Sequence, residues 1–291
     1  MALHEQLSWV SHYVDRKPLK THKSIRNRIY DLPLIGKRMY LAATQKNTFL
    51  PERIKEYLPV PVEPWNFWTN YLTNFLWKRG RETPPRRRTA KDINTEEIKN
   101  IRGAIESIQK AQGKDRFLSK YTDFPRMRYL TEAFPDAIFV HVVRDGRAVA
   151  ASYHKKIQSG EFGTWNEREW WITGWPQEWQ NEWRDQFGSP LSFTAYQWKY
   201  FVGEISKEKE HIPPEQYLEI KYSNIVGTPV TTFNKIFSFC GLKQSPKVEW
   251  YLRNIPLENM NKKWGKRYSD SEKKELEQII HEPEFRKFID E

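Results

Sequence analysis

Residues Phe134–Tyr153, FPDAIFVHVVRDGRAVAASY, decide the fold. Ile138, Phe139, Val140, Val142 and Val143 are β-branched or aromatic, which suits a short strand covered on both faces. Arg144-Asp145-Gly146-Arg147 breaks that strand, and Ala148, Val149, Ala150 and Ala151 resume as a helix. The first backbone N–H groups of a helix have no intrahelical partner and the macrodipole favours an anion beside them, so the junction is suited to phosphate. Arg144 adds a planar fork of donors there, and Ser152, two helical turns on, adds a hydroxyl. On residue chemistry alone the same stretch also reads as an ordinary charged turn, with Arg144 and Asp145 as a loop ion pair.

Outward from this stretch the chain alternates strand and helix. Asn94 with Glu97 makes a capping box for a helix carrying Ile98, Ile101, Ile105 and Ile108 on one face and stopped by Gly113. Arg116–Lys120 reads as a strand, and Pro125 opens a helix that carries Met127, Leu130 and Phe134 inward. Tyr217–Lys221 is a further strand. Pro229 opens a helix with Val230, Phe233, Phe237 and Cys240 on one face, ending at Gly241, and Ser269 with Glu272 caps the final helix. This pattern predicts a parallel sheet flanked by helices. Trp175, Trp179 and Trp183, spaced by four, form one helical stripe; it suits either core packing or an acceptor-binding lid, and Trp165, Trp170 and Trp171 stand just before it.

The 291 residues suffice for a sizeable core, and no apolar run is long enough to span a membrane. The opening residues lack a signal-peptide layout, which with one cysteine, Cys240, points to a cytoplasmic protein without an internal disulfide. The net charge of +11 is concentrated in residues 1–90, with 17 basic against 7 acidic side chains. Such a bias suits nucleic acid, an anionic membrane surface or acidic small molecules. No nucleic-acid-binding motif supports the first, and the scattered histidines give no metal-ligand spacing.

Arg144-Asp145-x-Arg147-x-Val149-x-x-Ser152 after the valine-rich strand resembles the 3′-phosphate-binding motif of sulfotransferases that use 3′-phosphoadenosine 5′-phosphosulfate (PAPS). The resemblance implies that Arg144 and Ser152 grip the 3′-phosphate, with Arg147 in the same motif. The segment YLEIKYSNIVGTPVTTFNKIFSFCGL is similar to another family stretch, which implies that Tyr222 lies near the adenine. NMNKKWGKRYS resembles the basic loop that closes over the nucleotide, with Lys262, Lys263 and Trp264 as its best matches; RFLSKYTDF implies Lys120 as an extra contact. The tryptophan-rich middle and HIPPEQYLE place the chain nearest the broad bacterial-type members.

The implied fold is an α/β P-loop-NTPase-like parallel sheet. Residues 1–291 are expected to form a single domain, with 160–195 as a tryptophan-rich acceptor-side insertion. The implied reaction is transfer of a sulfuryl group from PAPS, without a metal, to a hydroxyl of a carbohydrate, lipid-linked or small-molecule acceptor. The family's glycine-rich 5′-phosphosulfate loop, of the form GxPRSGTTLL, has no counterpart in the chain. The expectation is therefore a first, central strand and P-loop lost upstream. For the base, the resemblance points to His12, with Glu63 and His154 in reserve. Alternative readings are a nucleotide-binding pseudoenzyme or fragment that keeps only the 3′-phosphate half-site, and a P-loop kinase-like enzyme with another donor. The oligomeric state is not legible.

Overall fold

A computed structural model describes residues 6–9, 68, 90–121, 125–160, 172 and 174–289. These fall into two compact units, one holding the described residues up to 121 and the other those from 125 onward.

In the first unit, β1 (Ser8–Trp9) pairs in parallel with β2 (Phe117–Leu118), Ser8 lying opposite Phe117. The Ser8 N–H and hydroxyl both donate to the Arg116 carbonyl, at 2.7 and 2.9 Å, which fixes the register. Helix α1 (Thr95–Gln112) starts where expected. Asn94 accepts from the Glu97 N–H at 2.9 Å, and Gly113 ends the helix at φ +61°. Ile101, Ile105 and Ile108 are buried, as their spacing predicts. Trp68, also buried, donates its indole N–H to the Ser119 hydroxyl at 3.3 Å.

The second unit carries the decisive stretch. Strand β3 (Phe139–Val143) pairs in parallel with β4 (Tyr217–Lys221) over its whole length. His141 stands opposite Glu219, and Tyr217 bridges them, 2.8 Å from the imidazole and 3.2 Å from the carboxylate. The hydrogen bond to His141 holds the Glu219 carboxyl below its usual range, while burial pushes the Tyr217 hydroxyl up. The strand is covered on one face rather than two: Val143 is 3% exposed but Val142 is 47% exposed. Among the described residues β4 is its sole hydrogen-bonded neighbour.

The helices of this unit are α2 (Met127–Ala133), α3 (Gly146–Gln158), α4 (Gln177–Glu182), α5 (Pro190–Lys209), α6 (Tyr222–Gly227), α7 (Pro229–Phe239), α8 (Pro246–Asn254) and α9 (Asp270–Ile280). The long α5 packs against α3 and α9 and is the axis of the core. In α2 the buried residues are Met127, Tyr129 and Ala133, not the expected Leu130 and Phe134, because the helix opens two residues after Pro125 and turns a different face inward. Cys240 closes α7 half-buried, donating its N–H to the Ile236 carbonyl, instead of lying in the core. Ser269 and Glu272 make the expected capping box.

The tryptophan stripe resolves as core. Trp175 and Trp183 are buried, and Trp179 packs against them beside Tyr196 and Tyr200. The indole N–H of Trp175 reaches the Gln197 amide oxygen at 3.1 Å, and that of Trp183 reaches the Ser192 hydroxyl at 3.0 Å. Buried indoles need such acceptors. Trp165, Trp170 and Trp171 lie outside the described residues.

Candidate functional site

The junction between β3 and α3 is built around Arg144-Asp145-Gly146. Asp145 is the N-cap: its carboxylate accepts the Arg147 N–H at 2.9 Å and pairs with the Arg147 guanidinium at 2.6 Å. The anion that the helix start attracts is thus this buried carboxylate. The ion pair read from the sequence forms within the junction, but with Arg147 in place of Arg144. Gly146 sits flat under the indole of Trp198, whose N–H donates to the Arg144 carbonyl at 3.2 Å. Helix α5 therefore fixes the backbone from which Arg144 projects.

Arg144 is held on two sides. Its Nε donates to the Asn261 Oδ1 at 2.6 Å, and its guanidinium lies 4.8 Å from the ring centroid of Tyr222. Asn261 is buried at the head of a 3₁₀ turn, Asn261–Lys266. With Nε engaged, the two terminal amino groups of Arg144 remain for a ligand.

A cleft of about 280 Å³ runs along the side of α3, not at its tip. Arg144, Ala148, Ala151, Ser152, Lys155, Lys156 and Ser159 form one wall. Met260, Lys263, Trp264 and Arg267 form the other. Five of these eleven are cations and none is a carboxylate. Such a lining suits a dianionic group, for which cations and a hydroxyl replace lost water.

The structure brings Arg144, Ser152, Lys263 and Trp264 together in this cleft. Ser152 is exposed, and its hydroxyl has no hydrogen-bond partner among the described residues. Lys263 carries Glu258 at 2.5 Å. Arg147 lies over the Trp264 ring at 5.1 Å, so it positions the indole from behind rather than lining the cleft. Tyr222 reaches the site through Arg144, and its hydroxyl donates to the Glu258 carbonyl at 3.2 Å. Lys262 is exposed outside the lining, and Lys120 is exposed just past β2 in the first unit. His12 and Glu63 lie outside the described residues.

His154 is two residues past Ser152, about half a turn, and so lies on the inner face of α3. It is buried, with its ring nitrogen 3.1 Å from the Tyr268 hydroxyl. Burial lowers its pKa, against the opposing pull of Glu272 and Glu275.

Lys155, Lys156, Arg267 and Asn261 are contributors that sequence reading missed. The first two were within reach, because residues three and four after Ser152 must share its helix face. Asn261 and Arg267 lie within the stretch NMNKKWGKRYS, whose resemblance singled out Lys262, Lys263 and Trp264 instead; Arg267 lines the cleft, and Asn261 acts on it through Arg144.

The comparisons with known proteins agree with this architecture. The family model described as the sulfotransferase family matches residues 40–246, more than half of the chain. No curated protein matches by sequence. Among solved structures, the crystal structure of the sulfotransferase STF9 from Mycobacterium avium is similar, with a TM-score of 0.52 at 12% identity. That match covers 94% of this chain and 68% of the other. At such low identity the likeness is one of fold, and it is the family match over residues 40–246 that places this chain in the sulfotransferase family.

Proposed function

We propose that the chain transfers a sulfuryl group from PAPS to a hydroxyl of an acceptor, and that the cleft along α3 takes the 3′-phosphate of the nucleotide. The observation that carries this reading is the cleft's lining, five cations and a ligand-ready serine with no carboxylate. Arg144 and Ser152 grip the phosphate from α3. Lys263 and Trp264 close from the facing turn, and Tyr222 stands on the adenine side. Arg147, committed to Asp145, holds Trp264 in place.

In the reaction the acceptor oxygen forms a bond to sulfur as the bond from sulfur to the 5′-phosphate oxygen breaks. Adenosine 3′,5′-bisphosphate leaves, and the hydroxyl proton passes to a base. As in phosphoryl transfer, positioning and charge stabilisation carry the rate, and the 3′-phosphate site supplies binding energy remote from the reacting sulfur. His12 and Glu63 are the proposed bases; His154, buried and hydrogen-bonded to Tyr268, is not proposed for that role. The tryptophan-rich stretch 160–195 is the proposed acceptor side, and a carbohydrate, lipid-linked or small-molecule hydroxyl is the proposed acceptor.

The test is calorimetric titration with adenosine 3′,5′-bisphosphate. The expected result is saturable binding that falls by about 10²-fold in Arg144→Ala, the worth of a charge-assisted bidentate contact. Adenosine 5′-monophosphate is expected to bind far more weakly. Equal affinity for the two nucleotides, or an unaffected Arg144→Ala, sinks the assignment.

A further inference from the structure

Two arginines flank Asp145 and Gly146, and they are held by different chemistry. Arg147 is paired with the buried Asp145 carboxylate at 2.6 Å, so its charge is answered in place. Arg144 makes no ion pair among the described residues. Its partners are the Asn261 Oδ1, which accepts from Nε at 2.6 Å, and the Tyr222 ring, whose centroid lies 4.8 Å from the guanidinium carbon. Neither partner carries a charge.

Asn261 is itself fixed. It is 4% exposed, and its N–H donates to the Asn259 Oδ1 at 2.9 Å. The Tyr222 hydroxyl donates to the Glu258 carbonyl at 3.2 Å, three residues before Asn261. Arg144, Asn261, the backbone of 258–261 and Tyr222 thus close a ring. It joins the residue after β3, the segment entering the 3₁₀ turn and the start of α6. A guanidinium pinned at Nε and against one aromatic ring keeps a narrow range of directions for its terminal amino groups. Much of the rotamer freedom that an arginine loses on gripping a phosphate is then lost before the ligand arrives.

The amide is as informative as its position. A carboxylate there would aim the guanidinium equally well, but it would also neutralise Arg144 and stand as a like charge beside an incoming dianion. An uncharged acceptor aims the side chain and leaves its charge to the ligand. We infer that Asn261 is a positioning residue for the 3′-phosphate, aiming Arg144 without neutralising it and so setting the preference for nucleotides that carry that phosphate. The inference rests on the cleft taking the 3′-phosphate.

The experiment is calorimetric titration of the full chain with adenosine 3′,5′-bisphosphate and with adenosine 5′-monophosphate, repeated on Asn261→Ala, Asn261→Asp and Arg144→Ala. Asn261→Ala is expected to weaken the bisphosphate about tenfold and to leave the monophosphate unchanged. Asn261→Asp keeps the size and the accepting oxygen, so a purely structural role predicts affinity like that of the parent. A neutral aiming role predicts a loss for the bisphosphate larger than that of the alanine variant, again without effect on the monophosphate. If Asn261→Ala does not fold, the aspartate variant, with a far-UV spectrum like that of the parent, carries the test. Three results overturn this inference alone, with the parent selective and Arg144→Ala impaired. They are an unaffected Asn261→Ala, a parent-like Asn261→Asp, and a variant that loses both nucleotides in equal proportion. A parent that does not distinguish the two nucleotides overturns the reading of the cleft, and this inference falls with it.

Discussion

Gly146 is the residue on which the site's geometry turns. A Cβ placed there would stand 2.7 Å from the Trp198 ring, and the indole has nowhere to retreat, being packed against Phe285 and Phe288. Gly146→Ala is therefore expected to lose about 1–3 kcal/mol in a urea melt. It should also weaken nucleotide binding, since Trp198 holds the Arg144 carbonyl. Substitution of the exposed Gly227, which has no neighbour within 4 Å of its Cβ position, is the matched control. At this scale much of the cleft was readable. An arginine at a strand end and a serine two turns into the following helix converge for reasons of helical pitch alone. What could not be read was the division of labour between Arg144 and Arg147. Both flank an aspartate, and only the folded N-cap commits Arg147 to Asp145 and leaves Arg144 for Asn261 and the cleft.

Among the elements, α2 depends on a group eighty residues away. The buried Glu208 carboxylate, from the end of α5, accepts the Met127 N–H at 2.7 Å and the Arg128 N–H at 3.4 Å. This one side chain serves as cap for a helix whose own Arg126 offers no side-chain cap. Glu208→Ala is expected to cost about 2 kcal/mol, the penalty of a buried donor left without its acceptor. Glu208→Gln should recover part of that, as read by the shift in thermal midpoint. Helices α1 and α7 were legible from one apolar stripe between a start, Asn94 or Pro229, and a stopping glycine, α9 from its capping box, and α3 from the strand break before it. Helix α5 was not, although it is the longest. Phe193, Ala195, Tyr196, Trp198, Tyr200 and Val202 are buried together with Thr194, Gln197 and Lys199, so no face is left polar and no period survives. Its signal was Ser189 before Pro190, a capping serine and an N1 proline, hidden behind the tryptophan-rich stretch. The burial of Lys199 is made possible by Tyr196, its neighbour one turn back on α5, and by Trp179 and Glu282, two partners that no local pattern reveals.

For the whole molecule, acid stability is where a single group is felt globally. Burial holds His154 below its ordinary 6.5 in the folded state. The unfolded chain therefore binds the extra proton first, and stability falls as pH drops through 6.5 toward the folded-state value. Above 6.5 the histidine is neutral in both states and contributes no slope. His154→Gln should be less stable at neutral pH, through imperfect packing on Tyr268, yet lose less on acidification. Parallel thermal melts across that range check the difference in slope, and equal slopes would refute it. The alternation of strand and helix was visible in the sequence at this scale, but the shortness of the paired strands was not, because pairing partners lie far apart along the chain. That separation has a kinetic consequence. Ser8 must find Phe117, and Phe139 must find Tyr217. Each parallel pair thus closes a long loop, whose entropy is lost before any contact repays it. The helices between can form from local contacts at once. The strands are therefore expected to pair last, leaving Val140, Val142 and Leu118 open meanwhile to any other unpaired strand; pulsed hydrogen exchange that protects β3 and β4 no later than α5 would refute that order.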